Sequence, residues 1–188
     1  NVEKFLSKIN KKTSLVIIAN PNSPTGTILN MNDMIMIIDY CNKKNTPILI
    51  DEAYYGYTDK TLIKHFSKFN NLIISRTFSK MFGIAGLRVG YLVSNKKIIN
   101  ILKKIRPMYE INSLGAFISS QLLQNQKIVK NNLKNQLIGK NFLVKELKKL
   151  KYEYIETHAN FIHINLKKNY NFIIKKLSKK KILVNTSM

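Results

Sequence analysis

Three short strings hold the residue types that could do chemistry. They are Asn20-Pro21-Asn22-Ser23-Pro24-Thr25-Gly26, then Asp51-Glu52-Ala53-Tyr54, then Ser75-Arg76-Thr77-Phe78-Ser79-Lys80-Met81-Phe82-Gly83 with Gly86-Leu87-Arg88-Val89-Gly90-Tyr91 behind it. Lys80 follows small hydroxyl residues in a loop, where it can be desolvated. Loss of solvent lowers an amine's pKa and makes it a nucleophile for a carbonyl, so a Schiff base becomes accessible. Thr77 and Ser79 offer hydroxyls to a phosphate, Arg88 offers a planar fork for two of its oxygens, and the glycines permit close backbone approach. Asp51 is a carboxylate that could keep a pyridine nitrogen protonated and turn that ring into an electron sink. Ala53 is small enough for a flat ring to lie against it, and Tyr54 could hydrogen-bond the ring's phenolic oxygen. Each string also has a plainer reading by itself. In so lysine-rich a chain an isolated Lys80 is a surface residue, Asp51-Glu52 is an acid-rich helix N-terminus, and the first string is a structured turn.

The elements that must position these residues are legible from periodicity. Leu15 to Ala19 is a continuous apolar run ended by Asn20-Pro21, which predicts a strand buried on both faces of a parallel sheet. From Asn32 the spacing Met34, Ile35, Ile37, Ile38, Cys41 predicts a helix with Asn32 as N-cap and Asp33 in its first turn. Ile48-Leu49-Ile50 is a second strand that ends on Asp51-Glu52. Leu72-Ile73-Ile74 is a third that runs into Ser75 to Lys80, and Val89 to Val93 is a fourth. Strands alternating with helices imply an α/β fold with a mostly parallel sheet. Such sheets bind ligands beyond the strands' carboxyl ends, where all three strings fall.

Further on the pattern is helical over about Asn95 to Ile105, Asn112 to Gln124 and Ile128 to Leu150. Strands at Tyr152 to Ile155 and Phe161 to Leu166, a helix near Tyr170 to Leu177 and a strand at Ile182 to Val184 then read as part of a second, smaller α/β domain. The expected division is residues 1–127, part of a large domain, and 128–188, a connecting helix and part of the small one.

Taken together, the three strings resemble the Asn-Pro-x-x-Pro-Thr-Gly, Asp-x-Ala-Tyr and Ser-x-Ser-Lys…Arg-x-Gly signatures of the class I/II aminotransferases, with Thr77 in place of the first serine of the last. The resemblance is close over Val16 to Val93, looser elsewhere, and nearest to the histidinol-phosphate aminotransferase group. It implies the fold-type-I architecture, pyridoxal 5'-phosphate as cofactor, amino-acid and 2-oxo-acid substrates, and a cytoplasmic homodimer working in amino-acid biosynthesis. Residue by residue it implies that Lys80 forms the Schiff base and shuttles the proton between substrate and cofactor carbons, and that Asp51 pairs with the ring nitrogen. Tyr54 and an asparagine of the first string would hold the phenolic oxygen, while Thr77, Ser79 and Arg88 would hold the phosphate. The family often has asparagine directly before Pro-Thr-Gly, where this chain has Ser23, so Asn22 is the candidate here. The family's glycine-containing phosphate loop and ring-stacking aromatic precede the matched strings and its carboxylate-binding arginine follows them, so the chain is expected to be a fragment that is inactive alone. The same lysine and aspartate would also serve a decarboxylase or lyase.

Composition narrows the alternatives. A net charge of +22 raises the possibility of a lysine-rich nucleic-acid-binding protein, but the charge is spread along the chain, and no recognition motif accompanies it. No apolar run is long enough to span a membrane, so neither nucleic acid nor membrane is an expected partner. Cys41 is the only cysteine, which rules out an internal disulfide and suits a reducing compartment. No cysteine-histidine spacing suggests a metal, and His65, His158 and His163 read as ordinary surface or core residues.

Overall fold

The computed structural model describes residues 1–186. Three parallel strands, β1 (Val16–Ala19), β2 (Ile48–Asp51) and β3 (Leu72–Thr77), lie side by side in chain order, and β4 (Gly90–Ser94) pairs antiparallel to β3. Branched residues suit these strands because they pack well on a pleated surface. Side chains alternate between faces, so Val16, Ile48, Ile50, Leu72 and Ile74 form one buried face. Helix α2 (Met31–Lys43) covers that face with Met34, Ile37, Ile38 and Cys41, which recur at helical spacing and are buried. Each such side chain contributes about 1.5–3 kcal/mol by leaving water. Val2 and Leu6 of α1 (Val2–Leu6) pack against the same core.

Two expectations for this half need correction. The cap of α2 is Asn30, not Asn32: Asn30 Oδ1 accepts the Asp33 N–H at 2.8 Å, and Asn30 Nδ2 donates to Asp33 Oδ2 at 2.7 Å. A cap bonds the amide three residues on, and the chain is already helical at Met31. Strand β1 is not buried on both faces either. Ile17 is 63% exposed, because α1 and α2 lie against the opposite face.

The rest of the chain is α3 (Lys96–Ile105), α4 (Ser113–Gln124), the long α5 (Gln126–Lys149), the antiparallel pair β5 (Glu153–Ile155) and β6 (His163–Asn165), and α6 (Tyr170–Lys179). The strand expected at Ile182 to Val184 is absent. That segment is irregular, Leu183 is 94% exposed, and a strand forms only where another lends it hydrogen bonds, which none does among the described residues. A second core gathers Tyr54, Tyr57, Phe78, Met81, Phe82 and Val89 from the loops after the parallel strands with Val129 of α5 and Ala159. Those loops are thereby packed against the C-terminal third of the chain.

Candidate active site

Asp51 ends β2, and its register partners are Ala19 in β1 and Ser75 in β3. Partners across a sheet share a face, so these three small or polar residues line the face turned away from α2. Ser75 Oγ donates to Asp51 Oδ1 at 2.8 Å. The other carboxylate oxygen, Oδ2, accepts no hydrogen bond among the described residues.

Glu52 turns the other way and is buried. Its carboxylate accepts Arg76 Nε at 2.9 Å, Arg76 Nη2 at 2.8 Å, the Leu62 N–H at 2.7 Å and the hydroxyl of Thr61 at 2.8 Å. The guanidinium of Arg76 lies 3.5 Å from the centre of the Tyr55 ring and donates to Thr61 Oγ1 at 2.7 Å. Burial works against the charge on Arg76, but its hydrogen bonds with Tyr91 and Glu52 outweigh that and raise its pKa above the ordinary value. The reading of Asp51-Glu52 as an acid-rich helix N-terminus therefore falls. A turn follows β2, and the two acids serve opposite faces of the sheet.

Tyr54 is buried, with its ring edge-on to Phe161 at 5.4 Å and to Tyr57 at 6.4 Å. Half-buried Ala53 packs against the same cluster. Lys80 is half-buried in the turn after β3, with Nζ 5.3 Å from the centre of the Tyr54 ring. Its ammonium has no hydrogen-bond or ion-pair partner among the described residues.

The Lys80 turn is held by backbone bonds from Phe78 N–H to Val89 O at 3.0 Å, Gly83 N–H to Lys80 O at 3.1 Å and Ile84 N–H to Phe78 O at 3.2 Å. Gly83, at φ +76°, supplies the left-handed residue that closes it. Thr77 pairs with Gly90 at the end of the sheet register and the Phe78–Val89 bond lies one step beyond it, so Ser79 and Arg88 follow at the open end of this hairpin. Thr77 Oγ1 accepts the Ser79 N–H at 3.0 Å, while the Ser79 hydroxyl has no partner among the described residues. Arg88 is exposed, has left-handed backbone at φ 55°, and donates from Nη1 to Ala85 O at 2.9 Å. Asn22 donates from Nδ2 to Thr25 Oγ1 at 2.7 Å inside its own turn. The structure thus brings Lys80 to the ring of Tyr54, with Ala53 in the same cluster and Asp51 three residues before Tyr54 at the end of β2, and leaves the side chains of Asn22, Thr77 and Arg88 bonded locally.

Sequence reasoning missed Ser75, the Glu52–Arg76 pair and Phe161. Ser75 and Arg76 stand in the quoted string and could have been found by strand alternation from Asp51 and Glu52. Phe161 had no local signal. His163, read as ordinary, has its ring nitrogen against Pro24 O, a tie between β6 and the first string. Among the described residues no group of three histidine, cysteine, aspartate or glutamate side chains could hold a metal.

The sequence model of the family described as aminotransferase class I and II matches residues 1–187. The chain belongs to this family. This chain is 38% identical over 186 residues to the histidinol-phosphate aminotransferase of Caldanaerobacter subterraneus subsp. tengcongensis, covering 98% of this chain and 52% of that protein. It is 36% identical over 170 residues to the Pyrococcus furiosus histidinol-phosphate aminotransferase, covering 88% and 47%. The crystal structure of the histidinol-phosphate aminotransferase from Clostridium acetobutylicum matches with a TM-score of 0.81 at 26% identity, over 94% of this chain and 56% of that one. The Sinorhizobium meliloti enzyme in complex with pyridoxal-5'-phosphate matches with a TM-score of 0.84 at 22% identity, over 97% and 51%, and shares the fold. The architecture is therefore that of the fold-type-I transferases. The chain spans about half the length of the curated relatives it matches.

Proposed function

We propose that the protein containing this aminotransferase chain moves an amino group between an amino acid and a 2-oxo acid, using pyridoxal 5'-phosphate bound at Lys80. The observation that carries the reading is a partly buried, unpartnered amine, Lys80, over the ring of Tyr54, a residue three positions beyond a carboxylate, Asp51, that has one oxygen bonded and one open. The residues present fit the cofactor. Lys80 suits its aldehyde, Asp51 Oδ2 a ring N–H and Tyr54 a phenolic oxygen. The free hydroxyl of Ser79, with Arg88 across the hairpin, suits a phosphate, and Ala19 and Ala53 leave room beside Asp51.

When bound, the cofactor supplies an electrophilic carbon and a ring that withdraws electrons from the substrate bond being broken. Asp51 would hold a proton on the ring nitrogen, and Ser75, bonded to Oδ1, limits rotation of the carboxylate and leaves Oδ2 open for that role. Lys80 Nζ would serve as the base and acid that moves a proton between the substrate's alpha carbon and the cofactor. Its lack of a carboxylate partner leaves it free to swing between the two. The buried Tyr54, wedged by Phe161 and Tyr57, keeps water from that path. Thr77 and Asn22 can join the phosphate and phenolic-oxygen contacts by turning away from their present partners.

The names of the relatives at 36–38% identity favour histidinol phosphate or a similar amino donor. A homodimer is part of the proposal. Exposed apolar residues on and near α4, among them Met108, Tyr109, Leu114 and Phe117, support it. A reducing, cytoplasmic setting is proposed on the buried free thiol of Cys41. Borohydride reduction of the full-length protein with its cofactor, followed by peptide mapping, should place the adduct on Lys80. An adduct on another lysine, or none, would refute the reading. Product analysis then separates amino transfer from decarboxylation.

A further inference from the structure

Helix α5 meets the candidate site through three polar side chains spaced four residues apart. Asn132 Nδ2 donates to Met81 O at 3.1 Å, on the residue directly after Lys80. Gln136 Oε1 accepts from the hydroxyl of Tyr57, three residues after Tyr54. Lys140 Nζ donates to Thr157 O at 2.7 Å and Ala159 O at 3.1 Å, in the segment whose Phe161 packs edge-on against Tyr54. Residues i, i+4 and i+8 fall on one helix face, here over about 12 Å of helix. Apolar neighbours reinforce that face. Val129, Leu133 and Leu137 pack into the core formed by Tyr54, Phe78 and Met81. Gly56 leaves the space that Met81 fills, since a Cβ there would sit 2.1 Å from its sulfur, with Leu133 at 3.5 Å.

Each of these bonds restrains a different loop. The turn after β3 carries Lys80, the turn after β2 carries Tyr54, and the 157–161 segment carries Phe161. The loops are far apart in sequence, yet α5 holds all three. Lys140 is partly desolvated, and its pKa is lowered by burial, with the nearby Glu156 opposing. A cation placed there in spite of that cost has carbonyl acceptors to satisfy it.

We infer that Asn132, Gln136 and Lys140 act as one set of positioning residues, a ruler that fixes the Lys80 amine relative to the Tyr54 ring. None of them touches a reacting atom. Asn132 acts on Lys80 through the Met81 carbonyl, Gln136 on Tyr54 through Tyr57, and Lys140 on Tyr54 through Phe161. The inference rests on the proposed function for what Lys80 and Tyr54 do.

The test uses the full-length enzyme loaded with pyridoxal phosphate. Asn132→Asp replaces a donor by an acceptor facing a carbonyl, Lys140→Met removes the donors but keeps an apolar stem, and Asn135→Asp on the exposed side of α5 is the control. Two readouts other than turnover are followed: the pH midpoint of the bound cofactor's absorbance, which reports the proton at Lys80 Nζ, and the rate of cofactor loss. Both site-facing variants should move the midpoint by at least about half a pH unit and speed cofactor loss about three- to tenfold. The control should do neither. Midpoints and loss rates equal to wild type in either folded variant, even with a lower melting temperature, would overturn the inference and leave these residues as fold supports only. A variant that fails to fold is replaced by Gln136→Leu under the same criteria. A wild-type enzyme with no absorbance from bound cofactor would instead sink the proposed function.

Discussion

The hydroxyl of Ser75 in β3 donates to Asp51 Oδ1 in β2 at 2.8 Å, across the two strands that end at the candidate site. A carboxylate held at one oxygen can rotate less, and its second oxygen is aimed by the first. Ser75→Ala in the full-length enzyme should therefore lower kcat/KM by about three- to tenfold, the range of one net hydrogen bond, with the fold intact. Asp51→Ala should cost several kcal/mol of transition-state stabilisation, on the order of a lost buried charge pair, while cofactor still binds. Steady-state kinetics of Asp51→Ala within about threefold of wild type would make Asp51 a structural acid.

On the opposite face Glu52 and Arg76 form an ion pair with side chains 3% and 8% exposed. Removing one partner leaves the other's charge buried, which costs roughly 3–5 kcal/mol. Arg76→Met should destabilise the protein by about that much in urea unfolding. Arg76→Lys keeps the charge but loses the fork on Glu52 and the stacking on Tyr55, so it should fall between Arg76→Met and wild type. A loss below about 1 kcal/mol in Arg76→Met would mean that water replaces the guanidinium.

The parallel strands, the helices and the Lys80 string were legible because each rests on local chemistry: period-two or period-3.6 apolar spacing, and glycines and hydroxyls around one amine. What was not legible depends on partners distant in sequence. Ile17 looks like a doubly buried strand residue, yet one face of β1 is uncovered. Ile182 to Val184 has strand composition but no strand to pair with among the described residues. Arg76 could have been singled out, since in a chain this rich in lysine the arginines Arg76, Arg88 and Arg106 are the exceptions, and a planar fork is what a buried pair needs. Phe161 and Lys140 reach the site only through tertiary packing.

Gly26 has φ +72°, and a Cβ there would lie 2.0 Å from Thr157 Oγ1 and 2.7 Å from Thr157 Cβ. The first string docks on the segment leading to Phe161 through this gap, with His158 N–H donating to Gly26 O at 2.7 Å. Gly26→Ala is expected to destabilise the protein by about 1–3 kcal/mol through backbone strain, with overpacking adding to it. An unfolding midpoint equal to wild type would show that the two segments separate easily.

Cys41 is wholly buried, and burial pushes its thiol pKa above 9.0. The folded state then binds its proton more tightly than the unfolded chain does. Its contribution to stability is complete below about pH 9 and is lost as pH rises through the folded value. Cys41→Val should show a shallower fall in urea midpoint between about pH 8.5 and 10.5 than wild type, where the lysines titrate equally in both. Identical slopes would mean that the thiol ionises as readily in the fold as out of it.

Arg88 tests the phosphate end of the candidate site. Its guanidinium is exposed and folds back onto Ala85 O at 2.9 Å, so it is available to turn toward a phosphate held beside Ser79. A fork binds two phosphate oxygens in a fixed plane, which a single ammonium does not reproduce. Arg88→Lys should weaken binding of pyridoxal phosphate to the full-length apo-protein by about 1–3 kcal/mol. Both residues would carry the same left-handed backbone at φ 55°, so strain cancels and the urea midpoint should be unchanged. An exposed guanidinium that touches no phosphate would contribute about 0–1 kcal/mol, and affinity would stay where it is. Titrating both apo-proteins with the cofactor decides between the two, and equal dissociation constants would remove Arg88 from the site.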